Sequence, residues 1–145
     1  MQQEDVIIVG AGPCGMSAAI ELQELGIEPL LIEKGNVVNS IYNYPTHQTF
    51  FSSSEKLEIG GVPFITERQK PVRNQALAYY RAVAERKELR VNAYERVTQV
   101  VKEETTFTVH TKKNSGETDI YQAKDIIIAT GYYDQPNLMN IEGEE

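Results

Sequence analysis

Cysteine is nearly absent: among 145 residues only Cys14 carries a thiol. One thiol excludes an intrachain disulfide and any CxxC redox pair within these residues. Basic residues are also scarce, with 14 Lys and Arg against 21 Asp and Glu, and the formal net charge of -7 argues against nucleic acid and anionic membrane surfaces as main partners. Long hydrophobic runs are missing. No apolar stretch approaches the span of a membrane helix, and 41% hydrophobic residues with a mean hydropathy of -0.39 predict a soluble globular domain. Met1-Gln2-Gln3-Glu4 lacks the positive region of a signal peptide, so a cytoplasmic location is expected. No His/Cys group has metal-ligand spacing, no repeat or low-complexity segment occurs, and the length suits one domain over residues 1–145.

What is present begins at Asp5-Val-Ile-Ile-Val9, an apolar run of the kind a strand buried on both faces shows, leading directly into Gly10-x-Gly12-x-x-Gly15. A glycine triplet alone is weak evidence, because glycine-rich turns are common. Its surroundings strengthen it. Cys14, Ala18, Leu22 and Leu25 recur at helical spacing and predict the buried stripe of a helix that Gly26 closes. Pro29 to Ile32 predicts a second strand ending at Glu33, the distance at which an acidic residue accepts hydrogen bonds from a ribose. The chemistry follows from the backbone: free N–H groups at a helix start, with a favourable dipole, hold a pyrophosphate. Gly10 then makes the tight turn, Gly12 allows close approach to the phosphates, and Gly15 lets helix and strand pack. Glu33 opposes a ribose 2′-phosphate, although the neighbouring Lys34 weakens that point. The bland alternative is a structural strand–turn–helix unit with incidental glycines.

Residues 35–70 lose periodicity and are rich in Asn, Ser, Tyr, Pro and Phe, which predicts a long functional connection whose aromatics bury against the sheet or a ligand. Pro71 is expected to open a helix with Val72, Ala76, Tyr80 and Val83 on one stripe, ending near Lys87. Leu89 to Ala93 reads as a third strand. Alternation from Glu95 to Gln122, with a turn at Asn114-Ser115-Gly116, predicts an antiparallel meander. Ile126-Ile127-Ile128 restores a central parallel strand and ends in Ala129-Thr130-Gly131, small residues that admit a ligand. In a doubly wound sheet this places Gly10 to Gly15, Glu33 and Ala129 to Gly131 on one edge.

This order resembles the FAD-binding half of flavoproteins with two dinucleotide domains, the group that includes thioredoxin reductases and flavin-containing monooxygenases. Three segments are similar to the thioredoxin-reductase-like family of bacillithiol disulfide reductases: Gly10-Ala-Gly-Pro-Cys-Gly15, Ile32-Glu-Lys-Gly-Asn-Val-Val-Asn-Ser-Ile-Tyr-Asn-Tyr-Pro-Thr-His-Gln-Thr-Phe-Phe-Ser-Ser-Ser54, and Ile128-Ala-Thr-Gly-Tyr-Tyr-Asp-Gln-Pro136. The implied fold is α/β, a Rossmann-like FAD-binding domain with a central parallel sheet and an antiparallel β-meander. Complete members carry a second, NADPH domain and a return segment. Neither follows here, so the resemblance implies an N-terminal, truncated portion of a longer protein.

The implied function is the FAD half of an NADPH-dependent reductase of a small-molecule disulfide, bacillithiol disulfide being favoured. A flavin-dependent monooxygenase and a dinucleotide-binding module without turnover are the alternatives. Gly10, Gly12, Pro13, Cys14 and Gly15 would hold the pyrophosphate, Glu33 the ribose and Lys34 the adenosine end, with Ala129, Thr130 and Gly131 behind the cofactor. Cys14 is the catalytic candidate, as a thiolate at a helix N-terminus, or else a packing residue; bound phosphates would oppose its ionisation. His47 is open to a proton-donor role or to bonding within its loop, and His110 is expected at the surface of the meander. Tyr42, Tyr44 and Phe51 either stack near the flavin ring or anchor the loop, while Tyr132 and Tyr133 are expected beside the ligand. The state of assembly, homo-oligomer included, is left open.

Overall fold

The computed structural model describes residues 2–144. Six strands, β1 (Gln2–Val9), β2 (Leu30–Glu33), β3 (Arg90–Ala93), β4 (Glu95–Lys102), β5 (Phe107–Lys113) and β6 (Thr118–Ile128), form one sheet in the order β3-β2-β1-β6-β5-β4. β1 pairs parallel with β2, and β2 with β3, because helical crossovers carry the chain back between them; β6, entered from β5, also pairs parallel with β1. The Asn114-Ser115-Gly116 turn joins β5 to β6 antiparallel, and β4 pairs antiparallel with β5. The expected α/β sheet with a meander is present.

β3 and β4 lie at opposite ends of that order, yet only Tyr94 separates them. The sheet must therefore roll until its two edges meet at this corner. Tyr94 makes the corner with a left-handed φ of 59°, its N–H donating to the Gly35 carbonyl at 2.9 Å and its carbonyl accepting from Asn114 N–H at 3.0 Å. Rolling gives the sheet two covered faces. On one, Val6, Ile8 and Leu31 meet the helices; on the other, Ile7, Leu30 and Ile32 meet Val109, Tyr121 and Ala123 of the meander. Burial on both sides is why Val6 to Ile8 and Leu30 to Ile32 read as unbroken apolar runs.

α1 (Pro13–Glu24) follows the glycine turn, and its buried stripe is Met16, Ala19 and Ile20. This corrects the predicted stripe: Cys14 is exposed, Leu25 is 76% exposed, and Ala18 and Leu22 are half-buried flanks. Gly15 sets the rotation, since it is the residue pressed against the turn, and Cys14 and Leu25 fall on the far side of a helix with about 3.6 residues per turn.

The connection holds two one-turn helices, α2 (Asn39–Tyr42) and α3 (Ser54–Leu57), and is otherwise irregular, as composition suggests. α4 (Arg73–Arg86) starts two residues after Pro71, whose carbonyl instead accepts from Phe50 N–H at 2.9 Å in the preceding extended segment. Gln75 reaches back to the Val72 N–H at 3.0 Å and satisfies a donor at the helix start. Ala76, Tyr80 and Val83 are buried as predicted, together with Leu77 and Tyr79. The two tyrosines fasten the connection: Tyr80 donates to Leu57 O at 2.8 Å, Tyr79 donates to Val62 O at 2.7 Å, and Phe64 stacks on Tyr79 at 4.2 Å. The last meander strand and the Ile126–Ile128 strand, predicted separately, are one continuous β6. It pairs with β5 through Ala123 and with β1 through Ile128. Among the described residues no helix is long and apolar enough to cross a membrane.

Candidate nucleotide-binding cleft

The carboxyl ends of β1, β2 and β6 are tied together by main-chain bonds. Gly10 N–H donates to Ile32 O at 2.9 Å, and Ala129 N–H donates to Val9 O at 2.9 Å. Gly10 has φ +108°, and a Cβ there would sit 2.4 Å from the Ala129 carbonyl oxygen; at Gly15 it would sit 2.1 Å from Gly10 O. Both glycines are required by the protein's contact with itself. Gly12 differs. Its φ of -80° suits any residue, and no atom lies within 4 Å of its missing Cβ. The absent side chain at Gly12 opens onto a cleft and not onto protein.

At the mouth of α1 the first helical bond runs from Met16 N–H to Gly12 O at 2.9 Å. The N–H groups of Gly12, Cys14 and Gly15 have no acceptor among the described residues, and Pro13 has no N–H to satisfy. Three orphan donors at a helix start form an anion-binding mouth. Ala11 N–H is occupied: it donates to Glu33 Oε2 at 2.9 Å, while Gly35 N–H donates to Oε1 at 2.8 Å. The Glu33 carboxylate, 6% exposed at the end of β2, therefore fastens the two turns to each other, a role its spacing did not reveal. Each carboxylate oxygen keeps a lone pair for a further donor such as a sugar hydroxyl.

The cleft has a volume of ≈ 1130 Å³. Gly10, Gly12, Pro13, Cys14, Glu33, Lys34, Ala129, Thr130 and Gly131 all line it, so nine of the ten sequence-assigned cofactor residues come together there. Gly15 lies behind the wall, against Gly10. The exposed Cys14 thiol is on the lining at the second position of α1. Tyr132 and Tyr133 also line the cleft. Of the three loop aromatics only Tyr44 reaches it, meeting Tyr133 edge-on at 4.6 Å, and burial followed by the neighbouring Tyr133 raises its phenol pKa. Tyr42 packs instead under Arg73 and Arg81, at 5.4 and 5.9 Å from its ring, and Phe51 is 92% exposed outside the cleft. Phe50, its neighbour in sequence, takes the lining position. His47 is exposed on its loop, and His110 is half-buried on β5; neither lines the cleft.

The sequence reading missed Asp134, Tyr80 and Arg96 on the lining. Asp134 forms an ion pair with Lys34, also on the lining. Tyr80 has its phenol pKa raised chiefly by burial, with Tyr79, Cys14 and Tyr44 adding to the effect. A helical stripe marks Tyr80 as core without distinguishing a core residue that also forms the cleft floor. Asp134 and Arg96 carry no local signal.

An open glycine cradle, orphan amides at a helix mouth and a buried acid closing the next strand are the features of a dinucleotide-binding α/β protein. The chain belongs to the pyridine nucleotide-disulphide oxidoreductase family, whose model matches residues 7–145. Bacilliredoxin reductase Bdr of Bacillus subtilis (strain 168) is 62% identical over 146 residues, covering 100% of this chain and 44% of that protein. The solved bacillithiol disulfide reductase Bdr (YpdA) from Bacillus cereus superposes with a TM-score of 0.95 at 68% identity, over 99% of this chain and 44% of its own length. The Staphylococcus aureus structure of the same name gives 0.91 at 58% identity, over 99% and 43%. The chain thus spans less than half the length of these relatives.

Proposed function

We propose that residues 1–145 form the N-terminal, FAD-binding part of a flavoprotein disulfide reductase that draws electrons from NADPH and delivers them to a low-molecular-weight disulfide, bacillithiol disulfide being the favoured substrate. The observation that carries the cofactor reading is Gly12: a residue with ordinary backbone angles and empty space where its side chain would be, beside three unpaired amides. That geometry fits a diphosphate and serves no internal contact. The substrate reading draws on the relatives, two of which are bacillithiol disulfide reductases and one a bacilliredoxin reductase.

In this reading the amides of Gly12, Cys14 and Gly15 hold the pyrophosphate, and Glu33 accepts from the adenosine ribose while it keeps its two backbone donors. Ala129 to Gly131, close to the Gly10 turn, back the cofactor from the end of β6. The flavin, when bound, supplies the electron transfer; the protein supplies position and a dry wall. Cys14, exposed on that wall, is the candidate for contact with the disulfide. Calorimetric titration of the 145-residue chain with ADP-ribose tests the cofactor reading: saturable binding that Gly12→Val abolishes is expected, and its absence at millimolar ligand refutes the reading. Cys14→Ser in the full-length reductase tests the other half, the expected result being retained flavin reduction by NADPH with disulfide turnover lost.

A further inference from the structure

We propose that Asp134 is a specificity-determining residue of the nucleotide cleft: by holding the ammonium of Lys34, it withholds a countercharge from any ribose 2′-phosphate and restricts the cleft to adenosine dinucleotides that lack one. The proposal rests on the dinucleotide reading above and sharpens it.

Glu33 and Lys34 are adjacent at the end of β2, and both line the cleft. Glu33 cannot swing away, because the amides of Ala11 and Gly35 hold both of its oxygens and the side chain is buried. A fixed anion beside the ribose repels a 2′-phosphate, and a free lysine next to it would offset that repulsion. Lys34 is not free. Its partner Asp134 comes from the segment after β6, so the pair joins the end of β2 to that segment on the lining of the cleft. Glu33, Lys34 and Asp134 together carry one net negative charge at neutral pH. A 2′-phosphate bound there has to break the ion pair or add its charge to theirs.

Such discrimination has a use in a protein that employs two dinucleotides. FAD and NADPH share the adenosine-diphosphate core. A 2′-phosphate is the chemical difference closest to Glu33, and Asp134 makes the cleft sensitive to it. Arg96, the other cation on the lining, stands on β4 and makes no ion pair among the described residues. It is the rival source of a countercharge and is therefore one arm of the test.

The test measures, by calorimetry on the 145-residue chain, the ratio of the Kd for 2′-phospho-ADP-ribose to that for ADP-ribose. The wild-type ratio is expected to exceed about ten. Asp134→Asn frees Lys34 and lowers the ratio about fivefold or more, and Lys34→Gln added to Asp134→Asn restores it. Thermal melts confirm that each variant is folded, as expected for the exposed Asp134 and Arg96 and the half-buried Lys34. A wild-type ratio near one, a ratio unmoved by Asp134→Asn, or a fall on Asp134→Asn that Arg96→Gln reverses and Lys34→Gln does not, overturns the proposal while leaving the nucleotide site intact. If neither ligand binds any of the proteins at millimolar concentration, the cofactor reading fails and this inference falls with it.

Discussion

Gly10 and Gly12, two residues apart, are glycines for opposite reasons, and substitution separates them. At Gly10 an alanine must adopt φ +108° and place its Cβ 2.4 Å from the Ala129 oxygen, so Gly10→Ala is expected to cost about 3 kcal/mol or more of stability. Gly12→Ala meets no atom and no backbone strain, so it should stay within about 1 kcal/mol of wild type while it weakens ADP-ribose binding about tenfold, because the added methyl stands where the diphosphate approaches. Urea unfolding and calorimetry, run on both variants, check the pair; a large stability loss at Gly12 would show that the cradle serves packing after all. Glu33 joins the two effects. Glu33→Gln replaces one acceptor oxygen with an NH₂ that must face the Ala11 or Gly35 amide, donor against donor, and is expected to cost about 1–3 kcal/mol as well as ribose affinity. The same urea experiment reads the first loss and ADP-ribose titration the second. These residues were legible in the sequence because a turn's demand for glycine and a strand's length are local facts. Asp134 was not, since its partner Lys34 lies a hundred positions away and no spacing rule connects them.

At the scale of elements, a buried network pins the rolled sheet. Glu95, the first residue of β4, is 2% exposed, and its Oε1 accepts from the hydroxyls of Thr111 at 2.5 Å and Tyr121 at 3.0 Å. Asn92 on β3 donates to the Tyr121 oxygen at 3.0 Å, which ties β3 to β6 although two strands separate them in the sheet order. Burial, reinforced by the Glu95 carboxylate, pushes the Tyr121 phenol up to about 12 from its ordinary 10.0. A raised pKa means that the neutral phenol is the form the fold favours; its contribution is whole below pH 10 and is lost as pH rises through about 12. Stability is accordingly expected to fall between pH 10 and 12. Tyr121→Phe should remove part of that fall, with the raised phenols of Tyr44, Tyr79 and Tyr80 keeping the rest. The same change should cost about 1–3 kcal/mol at neutral pH, since Glu95 loses a donor and Asn92 an acceptor. Urea midpoints at pH 7 and pH 11 provide the check, and an unchanged alkaline slope in the variant would contradict it. Strand and helix existence were legible here because periodicity reports burial. The rotation of α1 was not, being fixed by Gly15 on Gly10 O, nor was the continuity of β6, where a half-polar antiparallel stretch and an apolar parallel stretch belong to one strand with different neighbours at its two ends.

At the scale of the whole molecule, the chain holds one side of a cleft and leaves apolar surface beside it. Ile128 is 63% exposed at the end of the central strand β6, and Tyr132 is 80% exposed next to the Ala129-Thr130-Gly131 turn. The relatives are more than twice as long, so their additional residues are available to cover such a surface. What these 145 residues provide on their own is the helix mouth with its unpaired amides and the Glu33 end, the parts proposed to recognise ADP-ribose. FAD adds a ribityl chain and an isoalloxazine ring to that core, and burial of the ring is worth affinity only where walls exist to bury it. The chain alone is therefore expected to bind FAD within about tenfold of its affinity for ADP-ribose, to lose its yellow colour on dialysis, and to oxidise no NADPH. Ligand stabilisation follows the same logic: it grows with the logarithm of ligand over Kd, so FAD at a given concentration should raise the melting temperature little more than ADP-ribose does. Calorimetry with both ligands, a visible spectrum after dialysis and an NADPH assay measure each part. Stoichiometric flavin retained through dialysis would show that these residues already enclose the ring, and it would move the flavin pocket, and not only the adenosine end, into this chain.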